Sequence, residues 1–394
     1  MNSAVICSAL RTPIGRFLGG LSTLSAADLG VAAVKPALER AGISPDRVDE
    51  LRFGCGRQAG SGPNVARQVA VRSGIPITST AVTVNMACGS GLQAIIEARD
   101  AIERGDAQVM VAGGTESMSQ LPFYILGARK GYRLGEGEMV DGMYRDGFHC
   151  PMADQLMGAT AENLAEEFSI GRDEQDAYAV ESQLRCQRAR EAGAFSDEIT
   201  AVEIPGRKGP TVVEADEHPR DGATLEGLGR LKPVFKKDGS IHAGNSSGIT
   251  DGACAVVIAE KELAIQEGWP VLATLGASAR AGVEPQRMGI GPVPAIRKLL
   301  EKTGHKIEDF DLVELNEAFA AQVIACLREL PIDRERLNVN GGSIALGHPI
   351  GATGARITTT LLHELRRRGG GKGLATLCIS GGMGLALEID VHGA

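Results

Sequence analysis

The sequence has no run of 18 consecutive apolar residues, so none of it reads as a membrane-spanning helix. It has no long Lys/Arg run, and its net charge is −8, from 41 basic and 49 acidic residues. That balance argues against nucleic acid as a partner. The opening MNSAVICSALRTPIG lacks a basic start followed by a long apolar core, and no signal peptide is expected. There is no CxxC pair: the eight cysteines stand scattered at 7, 55, 88, 150, 186, 254, 326 and 378. This argues against a structural zinc site and a dense disulfide framework. The expectation is a reduced, cytoplasmic protein without a metal site, in which a thiol can do chemistry.

What is present is 394 residues, 43% hydrophobic and 23% charged, about right for two α/β units. Glycine is frequent, 52 residues, so many backbones should approach closely. β-rich runs alternate with helical ones, the pattern of a wound α/β protein. Strands are expected at Ala4–Ser8, Glu50–Phe53, Thr83–Asn85, Gln108–Ala112, Ala253–Ala259, Leu312–Leu315, Leu374–Cys378 and Ala386–Val391. Helices are expected at Ala26–Ala41, Val65–Ser73, Gly91–Gly105, Thr160–Phe168, Asp173–Ala192, Pro292–Thr303, Ala318–Leu330 and Ala352–Arg368.

The two ends of the chain resemble each other. One stretch starting VTVNMACGSGLQAI and another starting LNVNGGSIALGHPIGATGAR both read as strand, glycine turn, helix, strand, double glycine. A repeat about 250 residues apart is no solenoid but a duplicated α/β domain. Residues 1–119 form one half and 251–394 the other. Residues 120–250, rich in Gly, Pro and charge, read as an inserted loop domain covering a site, its last part returning to the first half.

Cys88 lies where an apolar, β-prone run gives way to two glycines and a helix. A lone cysteine is more often a buried structural residue. A helix N-terminus, however, offers unpaired N–H groups and a positive dipole end, which favour the thiolate and can hold an oxyanion. Gly89-Ser-Gly91-Leu-Gln-Ala94 also fits the dinucleotide fingerprint G-x-G-x-x-A. The following strand, though, ends VAGGTE, with Glu116 beyond two glycines, and the fingerprint has no use for a cysteine. His348 sits in the glycine-rich loop NGGSIALGHPIGATGAR, with room for a ligand beside its ring. Cys378 ends a strand before a Gly-Gly turn in LCISGGMG, and Asn316 and Glu317 stand at the strand-to-helix junction ELNEAFA. All lie at strand ends or glycine turns, where open α/β sheets bind ligands.

The chain resembles the thiolases over nearly its whole length. The likeness rests on RTPIG, NMACGSGLQA, GGTESMS, TAENLA, RDEQDAYA, AGNSSGITDGA, NEAFA, NVNGGSIALGHPIGATGAR and LCISGGMG, in that order. It implies an α/β, five-layered αβαβα thiolase fold of two similar halves with an inserted loop domain, assembled as a homodimer or homotetramer. It implies Claisen condensation of acyl-CoA units, or the reverse thiolysis, with coenzyme A thioesters as substrates and no tightly bound cofactor. By the resemblance Cys88 carries the acyl group, His348 activates it and helps bind a thioester oxygen, and Cys378 takes the α-proton of the second acyl-CoA. Asn316 positions a water in the oxyanion hole that His348 shares. The N–H groups of Cys88 and Ser380 make the other hole. The positions matching CoA or substrate contacts are Met157, Arg220, Leu228, Phe235, Ala243, Gly244, Ser247, Met288, Ala318 and Phe319.

Two departures stand out. Ser380 occupies a position usually held by glycine, and serine resists positive φ. Leu156 replaces the histidine usual in the acetyl-specific enzymes, while Met157 and Met288 still suit a short acyl group. The first expectation is therefore an acetyl-CoA acetyltransferase. Its near rival is a 3-ketoacyl-CoA thiolase accepting longer chains. A decarboxylating ketosynthase would lack Cys378. A non-catalytic acyl-CoA or lipid carrier would have no need of Cys88, His348 and Cys378 together.

Overall fold

Runs of hydrophobic and small residues, buried on both faces in the central strands, fold into nine principal strands. A computed structural model describes residues 2–393. The strands are β1 (Ala4–Arg11), β2 (Glu50–Gly54), β3 (Thr80–Val84), β4 (Val109–Ser117), β5 (Thr250–Glu260), β6 (Ala273–Gly282), β7 (Leu312–Leu315), β8 (Gly371–Ile379) and β9 (Met383–Val391). They run in the order β7-β8-β9-β6-β1-β5-β4-β2-β3. The two halves of this sheet meet only where Val5 and Ile6 of β1 pair with Thr274 and Ala273 of β6.

The principal helices are α1 (Ala26–Ala41), α2 (Val65–Arg72), α3 (Ser90–Arg104), α4 (Met157–Glu167), α5 (Arg172–Glu191), α6 (Pro292–Thr303), α7 (Ala320–Glu329) and α8 (Ile350–Arg367). Three hydrophobic cores separate them into layers. Leu29, Val34 and Val69 of α1 and α2 pack on the outer face of the first half-sheet. Ile296, Leu299 and Val323 of α6 and α7 do so on the second. Between the half-sheets lie Leu92, Ile95 and Ile102 of α3 with Ile357, Leu361 and Leu365 of α8. The result is five layers, helix–sheet–helix–sheet–helix. The sequence of α8 reflects its central place: Ile350 to Leu362 is buried without a break, threonines included.

The halves repeat in topology. β2 pairs in parallel with β3 and β4, and β7 pairs in parallel with β8. The strand expected at Leu337 in the second copy is reduced to a single parallel bridge with Val313. Asn338 explains the loss. It takes a left-handed φ of 46°, which ends the extended run. Its side-chain amide then bonds both the N–H (2.9 Å) and the C=O (2.8 Å) of Leu315, in place of a second strand's backbone. The sequence reading also missed β6, whose ATLGASARAG is rich in small residues. It placed β5 in the second half, whereas β5 pairs on both flanks with β1 and β4 of the first. The double glycine expected after the first copy's closing strand lies within β4.

That double glycine sets how the halves meet. A Cβ at Gly114 would stand 2.0 Å from Gly351 O, and one at Gly351 would stand 2.4 Å from Thr115 O. Gly91 meets Ala355 N and Gly351 O at 2.9 Å in the same sense, so this glycine of the apparent dinucleotide fingerprint serves α3–α8 packing. Beside them the buried Glu116 carboxylate accepts the N–H groups of Gly56 (3.0 Å), Arg57 (3.0 Å) and Gly351 (2.9 Å). One side chain thereby ties the ends of β2 and β4 to the start of α8. The insertion is held by RTPIG: buried Arg11 pairs with Glu198 and Asp216, both at 2.6 Å.

Gly351→Ala is expected to destabilise the protein by about 3 kcal/mol, since backbone surrounds the added methyl. Glu116→Gln should cost about 1–3 kcal/mol, because an amide cannot accept from every donor. Gly229→Ala, which opens onto free space, should be near neutral. Thermal melts of the three variants check this order.

Candidate active site

The loop between β3 and α3 is a tight elbow. Ala87 takes φ +45°, and the Ser90 hydroxyl accepts from Met86 N–H (2.9 Å) and donates to Ala87 O (2.6 Å). Cys88 is thrown forward from this turn, partly exposed, one residue before the capping Gly89. A Cβ at Gly89 would stand 2.6 Å from Ile379 Cδ1, so the elbow lies directly against the end of β8. There sit Cys378, fully buried, and then Ser380. The positive φ angles of this turn fall on Gly381 (+90°) and Gly382 (+87°), not on Ser380. Serine at 380 therefore brings no backbone strain.

His348 arrives from the other half, just before α8. Its backbone N–H donates to Gly248 O (3.1 Å). Its Nδ1 lies 2.7 Å from Thr353 Oγ1, and that hydroxyl donates to Pro349 O (3.0 Å). Thr353 can then only accept from the ring, which places the proton on Nδ1 and leaves the Nε2 lone pair free. Nε2 has no partner among the described residues. Burial pushes the His348 pKa down to about 3, helped by the positive charges of Arg356 and Arg57. The ring is neutral, as a proton acceptor must be.

The two thiols differ in their surroundings. Burial raises the Cys88 pKa, while the Arg57 charge and the N–H groups of Ser380 and Cys88 itself pull it back. Cys378 is raised well above the usual thiol range, first by burial, then by the charges of Cys88 and Cys326, with only its own N–H in opposition. The helix-terminus argument from sequence accounts for part of this. It missed that burial opposes the dipole and that a neighbouring arginine supplies much of the countervailing field.

Cys88, His348, Cys378 and Ser380 line one cavity of about 470 Å³. The structure brings most of the other sequence-predicted positions to its walls: Met157, Arg220, Phe235, Ala243, Ser247, Met288, Ala318 and Phe319. Phe235 meets Phe319 edge-on at 6.1 Å and covers Gly158, where a Cβ would stand 2.3 Å from the ring. Leu156 also lines the cavity. Three expected residues do not. Leu228 packs beside the second half's core, Gly244 sits against Leu231 and His242, and Asn316 is buried behind the wall.

Asn316 is nonetheless oriented. Its Oδ1 accepts from Ser343 Oγ (2.6 Å), which itself accepts from Arg356 (2.8 Å). Its Nδ2 is left buried, a donor with no partner among the described residues. The neighbouring Glu317 accepts from Tyr178 (2.8 Å), Ser182 (2.7 Å), Asn338 (3.1 Å) and the N–H of Ile344 (3.1 Å). This carboxylate fixes the loop that carries Ser343 and leads to His348.

Sequence reading missed Arg57, His218, Tyr144 and Phe148, all of which line the cavity. Arg57 had a usable signal: a charged residue just past the carboxyl end of β2, on the same edge as Cys88. The others come from the insertion, whose path no local pattern encodes. Among the described residues no cluster of three or more His, Cys, Asp or Glu is placed to hold a metal ion.

Comparison with known proteins gives a consistent result. Residues 4–262 match the thiolase N-terminal domain and residues 269–391 the thiolase C-terminal domain. The acetyl-CoA acetyltransferase of Pseudomonas aeruginosa is 50% identical over 390 residues, 99% of each chain. That of Escherichia coli is 49% identical over 391 residues, again 99% of each. The crystal structure of the Bacillus anthracis acetyl-CoA acetyltransferase aligns with a TM-score of 0.97 at 45% identity, covering 99% of both chains. Human mitochondrial 3-ketoacyl-CoA thiolase in complex with CoA aligns at 0.95 with 43% identity, covering 99% of this chain and 98% of that one. With both domain models matched in order along its length, the chain belongs to the thiolase family.

Proposed function

We propose that the protein is an acetyl-CoA acetyltransferase, joining two acetyl-CoA into acetoacetyl-CoA and CoA or running the reverse thiolysis. The carrying observation is the convergence of two unlike thiols and a neutral histidine with a free Nε2 in one cavity. The full-length likeness to acetyl-CoA acetyltransferases supports the substrate.

The chemistry follows from the proton positions. His348 Nε2 takes the Cys88 proton, and the thiolate attacks the thioester carbonyl of acetyl-CoA. The oxyanion that forms lies toward the N–H groups of Cys88 and Ser380. CoA leaves as its thiol, taking the proton that Cys378 holds at neutral pH. The Cys378 thiolate then removes an α-proton from a second acetyl-CoA. Its enolate oxygen is held by protonated His348 and by a water on Asn316 Nδ2. The enolate carbon attacks the acetyl group, Cys88 leaves as a thiolate, and His348 returns the proton. CoA itself would lie along the insertion, with the exposed Arg220 toward its phosphates and Phe235 beside its adenine.

Two further properties belong to this reading. Eight free cysteines suit a reducing, cytoplasmic setting, and no described helix is long and apolar enough to cross a membrane. A homodimer or homotetramer is supported by the open edge of β3 with Val82 exposed, and by a hairpin pairing Phe123–Ile125 with Met139–Asp141 that exposes Leu134 and Met139.

A short pulse of acetyl-CoA followed by intact-mass measurement tests the roles. Cys88→Ala should gain no acetyl group and lose nearly all turnover. Cys378→Ala should gain one acetyl group yet fail to condense it. His348→Ala should slow both half-reactions. Acetyl on Cys378, or a fully active Cys378→Ala enzyme, would contradict the assignment.

In thiolysis of 3-ketoacyl-CoAs of increasing length, acetoacetyl-CoA should have the highest or nearly the highest kcat/KM. A clear preference for long chains would favour the β-oxidation thiolase instead. Light scattering should report an oligomer, and a stable active monomer would contradict the assembly.

A further inference from the structure

Arg57 is the one buried charge at this cavity that the mechanism above does not use. It stands just past the end of β2 and is 7% exposed. The cavity lining carries three arginines, Arg16, Arg57 and Arg220, and no aspartate or glutamate. Arg57 itself bonds only backbone carbonyls, Gly56 O (3.2 Å) and Gly147 O (2.9 Å), while its Nε is buried without a partner. Among the described residues no carboxylate lies within ion-pair distance of it. The nearest in chemistry is Glu116, which binds the Arg57 backbone N–H. Its oxygens are already saturated by three N–H groups and approached by the Cys55 thiol at 3.6 Å. The guanidinium is countered only through space by the Glu116 carboxylate, without a direct ion pair, and such a buried charge is costly unless an anion meets it during function.

The anion that the fold places on the same cavity wall is the Cys88 thiolate. The 55–57 loop touches the elbow that presents Cys88: Asn85 Nδ2 donates to Gly56 O (3.3 Å), and a Cβ on Gly56 would stand 3.6 Å from Ala87 O. We propose that Arg57 is a positioning residue whose unpaired charge favours the Cys88 thiolate over the thiol and keeps His348 in its neutral, proton-accepting form. The groups facing Cys88 leave this role to Arg57. His348 from the start of α8 is neutral, Cys378 of β8 holds its proton and Ser380 offers only an N–H, while the Glu116 carboxylate of β4 acts in the opposite sense, against the thiolate. The direction is consistent, since Arg57 is the largest influence that lowers the Cys88 pKa and also lowers that of His348. Acylation consumes the thiolate that His348 creates, so the guanidinium faces an anion as Cys88 attacks and again as Cys88 leaves, but not in the acyl-enzyme. This gives the second half-reaction an added drive to release Cys88 as an anion.

The inference rests on Cys88 being the reactive thiol, and the test separates the two. Iodoacetamide is reacted with the full-length protein across pH 5.5 to 10, and the modified cysteine is identified by peptide mass. In wild type, Cys88 should be modified first; if it is not, the reading of the site fails. In Arg57→Gln the inflection for Cys88 should move up by about one pH unit, roughly a ten-fold slower reaction at pH 7. Arg57→Lys should restore it to near the wild-type value. An Arg57→Gln enzyme that melts like wild type but keeps the wild-type inflection would overturn the inference. So would a variant whose only defect is turnover of acyl-CoAs bearing a carboxylate, which would make Arg57 a substrate contact. Should Arg57→Gln fail to fold, Gly147→Ala carries the test. Its Cβ would stand 2.8 Å from Arg57 Nε and displace the guanidinium without removing charge. An upward shift supports the inference, and an unchanged inflection overturns it.

Discussion

The Glu116 carboxylate is the joint on which the rest of the site depends. It accepts backbone N–H groups from Gly56 and Arg57 in one half and from Gly351 in the other. Gly114 and Gly351 let the backbones come close enough for this to happen. His348 precedes α8 by two residues, and Cys88 precedes α3 by two, so the register of these two helices sets the spacing of nucleophile and base. A single buried carboxylate without such donors would be a large liability. Here the Arg57 charge, the positive end of α8 and the loop amides partly offset the burial that raises its pKa, and the cost of burial becomes a fixed geometry.

Two identical functional groups, the thiols of Cys88 and Cys378, are made chemically different by surroundings alone. Cys88 sits on an elbow with open N–H groups and an arginine nearby, whereas Cys378 ends a strand in apolar surroundings. Because each charge disfavours the other, the pair carries at most one negative charge at a time. That is the arrangement a nucleophile and an acid/base partner require.

Much of this was legible in the sequence because it is local. A cysteine before Gly-x-Gly, a histidine between glycine and proline, and a cysteine before Gly-Gly all announce turns at strand ends. The helices, with their long amphipathic periods, were placed within a few residues. What stayed hidden is non-local. Glu116 read as evidence against a dinucleotide site, but its three partners are 59, 60 and 235 residues away. The strand expected at Leu337 gave way because an asparagine side chain supplies the pairing that a backbone would have made. Arg57 went unread because its burial at the cavity wall, 7% exposed, depends on the insertion folding over it. The concern over Ser380 dissolved because the turn's positive φ angles fall on the next two residues.

The central claim is that an elbow at Cys88 and a turn at Ser380, brought together by the junction of two halves, hold an acyl group and its developing charge. A crystal structure of the enzyme flash-cooled after a brief soak in acetyl-CoA tests it most directly. The account predicts an acetyl group on Cys88 Sγ, its carbonyl oxygen within about 3 Å of the N–H groups of both Cys88 and Ser380. An acetyl group on Cys378, or one on Cys88 whose oxygen points away from both N–H groups, would contradict it.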